Sequence, residues 1–259
     1  MDFALEQTNP IVPDRKEDQK STLEVRTPRM LITLCTYNER ENLQLLIPEI
    51  LQQLPTAELL IIDDNSPDGT GVFVEELAVQ DARIHVLHRP GKLGLGTAII
   101  AGFQYGIDHG YDLLVNLDAD FSHPPRFIPS LLAKADKADV VIGSRYIQGG
   151  EADGFGKIRW LMSQSLNLYA RTLLGLSTRD NSGSFRCYHV KLLSQVDWST
   201  ALSTGYAIQE EILYRLKNVG ATFQEVPIHY EERRFGQTKL HWTEAFRAGW
   251  VLLRLRMGR

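Results

Sequence analysis

Short apolar runs recur through the first half of the chain. They are Met30-Leu31-Ile32-Thr33-Leu34, Leu59-Leu60-Ile61-Ile62, Ile84-His85-Val86-Leu87, Leu113 through Leu117, and Val140-Val141-Ile142-Gly143. Runs of this length without polar alternation read as strands buried on both faces. Between them the apolar spacing becomes helical. Residues 41–53 carry Leu43, Leu46, Ile47, Ile50 and Leu51 on one face, with Leu54 just beyond. Further helices are expected over 70–79, from the glycine-rich stretch 88–96 to about 108, and over 126–135. Strands alternating with helices imply βαβ units, right-handed crossovers and a mainly parallel sheet, so the fold class is α/β. The second half predicts a long helix over 157–174, stopped by Gly175, and a strand opened by Asp180-Asn181-Ser182-Gly183-Ser184-Phe185-Arg186 and running through Tyr188. A helix around 189–195, a helix over 207–217 and a strand from Phe223 to Tyr230 follow. From Trp242 the positions Trp242, Phe246, Trp250, Leu253 and Met257 form one helical stripe.

Composition narrows the class. The chain has 259 residues, 43% of them hydrophobic and 23% charged, as in an ordinary soluble domain. A net charge of −4 leaves no basic footprint for nucleic acid. Two distant cysteines, Cys35 and Cys187, argue against a disulfide scaffold and for a reducing, cytoplasmic setting. No signal peptide is visible, and no apolar run approaches the roughly 18–20 residues that span a bilayer. Residues 1–28 hold three prolines among many charges and are expected to be a mobile tail.

The chemistry gathers at the ends of the expected strands. In a sheet of this kind ligands bind beyond the carboxyl ends of the strands. That places Thr36–Glu39, Asp63–Asp68, Asp118–His123 and Ser144–Tyr146 on one rim. Asp118 and Asp120 stand one residue apart at the end of an apolar strand. Like charges so close call for a cation between them, and a hard divalent ion, Mg²⁺ or Mn²⁺, suits oxygen ligands that also meet a phosphate. Ser122 can add a hydroxyl or a water-bridged contact; the alternative is that the two acids only cap a loop. Arg89, Lys92 and Arg145 are the basic candidates, and the inferred ligand is a nucleotide diphosphate with its metal. Asp64 suits a base or ribose, Tyr37 offers a planar face or a hydroxyl, and Glu39 a carboxylate for ribose hydroxyls.

Other segments leave two readings open. The stretch Arg89-Pro90-Gly91-Lys92-Leu93-Gly94-Leu95-Gly96-Thr97 lacks both the dinucleotide fingerprint and the Walker pattern. Its glycines serve either a tight turn or a close approach of backbone N–H groups to phosphate or sugar. Gln209-Glu210-Glu211 either face a site or favour a helix N-terminus. The loop Glu231 to Leu240, with Arg233 and Lys239, either clamps phosphates or is a solvated turn. The helices over 157–174 and 242–259 either pack on the core or lie in a membrane interface, where Arg247, Arg254, Arg256 and Arg259 would meet anionic lipid.

Taken together these motifs carry a resemblance. Tyr37-Asn38-Glu39, Ile62 through Thr70, Gly91 through Thr97, Asp118 through Pro124, Gly143-Ser144-Arg145-Tyr146, Gly183-Ser184-Phe185-Arg186 and Arg233 through Leu240 occur in that order. The set resembles the dolichyl-phosphate (polyprenyl-phosphate) mannosyltransferases of inverting glycosyltransferase family 2. The resemblance covers roughly 29–241 and implies a GT-A (Rossmann-like) glycosyltransferase domain there, with 242–259 an added amphipathic helix. It implies GDP-mannose as donor and a polyprenyl or dolichyl phosphate as acceptor. Carried over by position, Cys35, Tyr37, Glu39, Ile62, Asp64, Lys92 and Ala119 would contact nucleotide. Asp118, Asp120 and Ser122 would hold the metal, and Arg145, Arg233 and Lys239 would meet donor or acceptor phosphates, with Asp118 and Asp120 also part of the catalytic and nucleotide-contacting set. Cys35 stands where the family usually has Pro, Asn181 where Thr is common and Thr238 where Ser is common. The chain resembles members without their own membrane spans, some of which rely on small membrane subunits. The expected location is peripheral, on the cytoplasmic face of a membrane. The rival expectations are a UDP-glucose or other nucleotide-sugar donor, a sugar hydroxyl acceptor with Glu210 or Glu211 as base, or a silent nucleotide-sugar-binding subunit.

Overall fold

The structure, a computed structural model, describes residues 26–154, 156–234 and 242–258, the last with side chains from residue 249 on. The expected tail falls almost wholly outside the described residues, and so does Lys239. In chain order the elements are β1 (Met30–Thr36), α1 (Arg40–Gln53), β2 (Glu58–Asp63), α2 (Thr70–Gln80), β3 (Ile84–His88) and α3 (Leu95–Asp108). Then come β4 (Leu113–Asp118), α4 (Ile128–Leu132), β5 (Val140–Ser144), β6 (Glu151–Ala152), α5 (Lys157–Leu174) and β7 (Arg186–His189). The chain finishes with α6 (Val190–Leu193), α7 (Ile208–Asn218), β8 (Phe223–Pro227), β9 (His229–Tyr230) and α8 (Trp242–Met257).

Seven strands form one sheet in the order β3-β2-β1-β4-β7-β5-β8. All neighbours are parallel except β7, which runs antiparallel between β4 and β5. The unbroken apolar runs are explained by burial on both faces. Ile32, Leu34, Leu59, Ile61, Val115 and Leu117 face one core, shared with Leu43, Leu46 and Ile50 of α1. Leu31, Leu60, Ile62 and Leu114, one residue out of phase, face the other, with Phe103 of α3 and Ile212 and Leu216 of α7. Period-two alternation in a buried strand thus feeds two cores at once. The topology is the mainly parallel, helix-flanked sheet of the GT-A class.

Three boundaries differ from the expected ones. The helix expected over 126–135 is a 3-10 turn, Pro125–Phe127, followed by the five residues of α4. Pro124, Pro125 and Pro129 crowd its start and remove the donors a longer first turn would use. The helix expected around 189–195 shrinks to α6. The strand expected over 223–230 breaks at Ile228, whose N–H donates to the Ser144 carbonyl. Beyond the break, β9 pairs with β6 in a separate two-stranded sheet.

The terminal helix docks, but not through the expected stripe. Leu252 and Leu255 enter the second core, while Trp250 and Met257 point outward. On α5, which packs against α8, Asn167, Ala170 and Leu174 are buried, and Ile158, Trp160, Leu161 and Leu168 are exposed.

The glycine-rich stretch serves a tight approach. Gly96 N–H donates to the Thr204 carbonyl at 2.9 Å, and a Cβ on Gly96 would overlap the Ser203 carbonyl oxygen. Gly94 has φ +99°, a conformation that side chains strain. A Gly96→Ala substitution is expected to lower unfolding stability by about 3 kcal/mol through this overlap with backbone. Denaturant titration of the variant against the unsubstituted chain measures it.

Candidate active site

The carboxyl ends of β1, β2, β4 and β5 meet on one edge of the sheet, and the antiparallel β7 brings the loop 180–185 to the same edge. Three non-glycine residues have left-handed backbone, Asn38 (φ 62°), Asn65 (φ 57°) and Phe121 (φ 67°). Each sits in a loop just beyond one of these strand ends. Strained residues of this kind persist where the surroundings hold them, and they cluster at ligand sites.

Every acid on the edge has a specific counterpart. Asp63 accepts from the Thr36 hydroxyl at 3.1 Å and from the Ser66 N–H and hydroxyl at 3.0 and 2.5 Å, which shapes the 63–69 turn. Asp64 pairs with Arg89 at 2.6 Å, and both are buried. Burial lifts the Asp64 carboxyl above its ordinary range, although Arg89 opposes the shift. Arg89 also donates to the Thr97 hydroxyl, which ties the glycine stretch to β2. The Lys92 ammonium lies 4.4 Å from the Tyr37 ring centre. Glu39 accepts from Asn42 Nδ2 at 2.7 Å. Ile62 is fully buried, its side chain beneath Gly102 of α3, and Ala119 packs in the first core. These two side chains therefore face away from the edge. Cys35 pairs in register with Ile62 on one side and Asp118 on the other.

Asp118 and Asp120 occupy the centre of the edge. Asp118 Oδ1 accepts from the Ser184 hydroxyl at 2.6 Å, and its side chain is 39% exposed. Asp120 Oδ1 accepts from Ser122 N–H at 3.0 Å, while Oδ2 takes Arg233 at 2.6 Å. Ser122 is buried with its hydroxyl beside the Tyr230 phenol. Burial holds the His123 imidazole below its ordinary range, against the pull of Asp118 and Asp120. The pair offers only oxygen donors, and Arg233 shows that positive charge is accepted there. Among the described residues no three His, Cys, Asp or Glu side chains form a cage. Two carboxylates with open positions fit a hard cation that keeps water or phosphate ligands.

Arg145 sits beside this pair. Its Nε and one terminal nitrogen donate to the two oxygens of Asp180 at 2.7 Å, a bidentate fork. Burial opposes its charge, but Asp180 outweighs burial and the pKa is raised. The same fork holds buried Asp180 below the ordinary carboxylate range. Tyr146 and Tyr230 flank the guanidinium at 5.0 and 5.5 Å. Farther along α5 a cleft of ≈ 370 Å³ is lined by Tyr146, Leu161, Gln164, Asn167, Leu168 and Arg171.

Sequence reasoning missed the partners. Asp180 and Ser184 fix Arg145 and Asp118, yet pairs so far apart in sequence leave no local signal, and Arg89, expected as a ligand-binding base, is instead engaged by buried Asp64. The three polar residues of α7 are all buried. Glu211 accepts from Leu202 N–H, Ser203 N–H and Arg215 Nε, so it anchors the 201–204 segment and is not open to a substrate. Glu210 is buried with Oε2 lacking a partner among the described residues, and so are both side-chain atoms of Gln209 and the Ser203 hydroxyl. A group left in that state costs about 1–3 kcal/mol.

Burial pushes the Glu210 carboxyl up to about 7. The unfolded carboxyl ionises near 4.3, so between these values the unfolded state loses its proton first and stability falls as pH rises. Between pH 5 and pH 8 the chain is expected to lose about 2–3 kcal/mol of stability that Glu210→Gln does not lose. Denaturant melts of both proteins at the two pH values measure the difference.

The Glycosyl transferase family 2 profile matches residues 31–197. A polyprenol monophosphomannose synthase of Mycolicibacterium smegmatis is 42% identical over 216 residues, covering 83% of this chain and 82% of the relative. An undecaprenyl-phosphate mannosyltransferase of Micrococcus luteus is 41% identical over 212 residues, covering 82% and 87%. Among solved structures, the glucosyl-3-phosphoglycerate synthase of Mycobacterium tuberculosis, in complex with Mn²⁺, UDP and glucosyl-3-phosphoglycerate, superposes with a TM-score of 0.62. It covers 89% of this chain and 80% of that one at 19% identity, a likeness of fold alone. An edge of paired acids and buried arginines on a GT-A sheet, with relatives this close, makes the chain a glycosyltransferase that belongs to glycosyl transferase family 2.

Proposed function

We propose that the protein transfers mannose from GDP-mannose to a polyprenyl phosphate, with inversion at the anomeric carbon. The observation that carries this reading is the juxtaposition of Asp118 and Asp120 with Arg233 and with the buried Arg145–Asp180 pair. The names of the two bacterial relatives support a polyprenyl-phosphate acceptor and mannose.

The acceptor phosphate is already an anion, so attack needs little help from a general base. Glu211 is fully engaged by backbone and Arg215, which weakens the rival reading of a hydroxyl acceptor activated there. Asp118 and Asp120 would hold Mg²⁺ or Mn²⁺, which when bound neutralises charge on the departing diphosphate. Tyr37, Lys92 and Asp64 line the side of the edge where the nucleoside would lie. Arg145, fixed by Asp180 before any ligand arrives, presents positive charge that needs no reorganisation, the condition under which electrostatic stabilisation is strongest. Arg233 neutralises Asp120 and stands within reach of the same phosphates. Lys239 belongs to this set by resemblance and lies outside the described residues.

The acceptor is a membrane lipid, and two faces suit it. Ile158, Trp160, Leu161 and Leu168 of α5 and Trp250 and Met257 of α8 are exposed beside Arg159, Arg171, Arg254 and Arg256. Apolar and aromatic groups rimmed by arginine suit the surface of an anionic bilayer. Among the described residues no helix is long and apolar enough to cross a membrane. We place the protein on the cytoplasmic face, with a small membrane subunit as a further partner.

Asp120→Ala is expected to lower mannose transfer from GDP-mannose to a polyprenyl phosphate by about a thousandfold, the equivalent of several kcal/mol. Incorporation of labelled mannose into lipid reads this out, and a near-normal rate would falsify the assignment of the pair. Leu161→Glu with Trp250→Glu is expected to weaken co-sedimentation with anionic vesicles about tenfold or more, since two exposed apolar groups that would enter the lipid surface are lost. Unchanged sedimentation would remove these faces from the membrane contact.

A further inference from the structure

The cleft beside α5 takes no part in the chemistry above. Its volume of ≈ 370 Å³ falls within the range of small-molecule sites, about 300–1,000 Å³. Leu161 and Leu168 stand exposed at it, and Arg171 and Arg179 line it together with Gln164 and Ser165. Among the described residues no acid lines it.

Both guanidinium groups are uncommitted. Among the described residues neither side chain has an ion pair or a hydrogen bond. Arg171 sits in the last turn of α5, where a cation often serves the final carbonyls. Those carbonyls have other partners. Arg171 O accepts from Leu176 N–H at 3.0 Å, and Leu174 O accepts from Lys217 Nζ at 2.9 Å. Arg179 is fixed through its backbone, whose N–H donates to Glu225 Oε2 at 2.9 Å. Glu225 Oε1 takes the Asp180 N–H at 3.0 Å, and Asp180 in turn holds Arg145. The neighbouring acids are thus engaged elsewhere. The chain as a whole carries −4, so the positive charge is local to the cleft.

This lining separates the ligands. A cation finds no carboxylate there. Two uncommitted guanidinium groups suit an anion with several oxygens, and the planar fork of Arg matches phosphate. The exposed leucines add a second requirement. A free phosphate leaves Leu161 and Leu168 in water, whereas a phosphodiester that carries acyl chains covers them. Ile158 and Trp160, also exposed, extend the apolar stretch toward the start of the helix.

The cleft is distinct from the edge that holds the acids. Arg145 does not line it, but Tyr146 does, with its ring centre 5.0 Å from the Arg145 guanidinium. Buried Asn167, also in the lining, donates to the Ser182 hydroxyl at 3.3 Å, and the same hydroxyl takes Arg145 at 3.1 Å. An occupant therefore lies next to the transfer site without entering it.

We propose that this cleft is a headgroup site for an anionic phospholipid, with Arg171 and Arg179 on the phosphodiester and Leu161 and Leu168 against its acyl chains. The proposal rests on the reading of α5 as a helix that meets the bilayer. The bound lipid is a constituent of the membrane and not the mannose acceptor, and it fixes the orientation in which Arg145 faces the lipid surface.

The test titrates the full chain with monomeric dihexanoyl-phosphatidylglycerol in a calorimeter. One saturable site is expected. Arg171→Gln with Arg179→Gln is expected to lower its affinity about tenfold or more. Ser165→Trp, which fills the cleft without changing charge, is expected to do the same. Arg254→Gln with Arg256→Gln removes equal charge from α8 and is expected to stay within about twofold, since exposed charges outside the site are screened. Dihexanoyl-phosphatidylcholine, with no net charge, is expected to bind about tenfold more weakly. Equal losses from the α5 and α8 arginine pairs would reduce the effect to general charge and overturn the proposal. So would an unchanged affinity in the first pair, or inorganic phosphate binding as tightly as the lipid. Tighter binding of an oligoglutamate peptide overturns it in favour of a protein partner. If Ser165→Trp fails to fold, the two arginine pairs decide. Sedimentation of the unsubstituted chain with phosphatidylglycerol vesicles judges the membrane reading separately. Vesicle binding without uptake of the short lipid overturns the cleft alone, and uptake of the short lipid without vesicle binding overturns the membrane surface alone.

Discussion

Acidic side chains at the carboxyl ends of buried strands repel one another, and their neutralisation is the constraint on which the edge depends. Asp64, Asp120 and Asp180 each hold a guanidinium, from Arg89, Arg233 and Arg145. Asp63 and Asp118 instead accept hydroxyl and backbone hydrogen bonds. The distinction follows burial. Arg89 and Arg145 are both buried with their carboxylates, and removing either would leave an uncompensated charge inside the protein. Arg233 is more exposed, and Asp118 is the most open of the five. Rigid pairs therefore frame the edge, while the more open charges sit at its centre.

Much of this was legible in the sequence. The apolar runs reported strands buried on both faces because each is sandwiched between two cores. The strand-end rule then put Thr36, Asp63, Asp118 and Ser144 together. The antiparallel course of β7 was not legible, since Arg186–His189 carries no mark of direction and its partners lie far away in the chain. The break at Ile228 was hidden for a similar reason, as the Ser144 carbonyl that interrupts the run is remote. The α8 helix had two readings, core or membrane interface; the core takes Leu252 and Leu255, while Trp250 and Met257 of the stripe stay exposed.

The site was legible in its charges and illegible in its pairings. Asp118, Asp120, Arg145 and Arg233 stood out as candidates, and the structure brings them to one edge. Ile62 and Ala119 have side chains turned into the cores, so only backbone from those positions reaches the edge. The loop partners Asp180 and Ser184 were read as the opening of a strand, although they fix Arg145 and Asp118. Gln209-Glu210-Glu211 had two readings, and burial separates the three: Glu211 anchors a loop, while Gln209 and Glu210 are left with orphaned atoms.

The inserted β7 has a consequence for how the protein is made. Strands β1 to β4 form the contiguous order β3-β2-β1-β4, so half of the sheet can assemble before the remainder is made. Its outer edge at β4 then stays open until Arg186–His189 emerges, because β5 has no direct contact with β4 and reaches it only through β7. An exposed parallel edge is a template for wrong pairing with another chain. The strand that closes this edge is also the one that delivers Ser184 to Asp118.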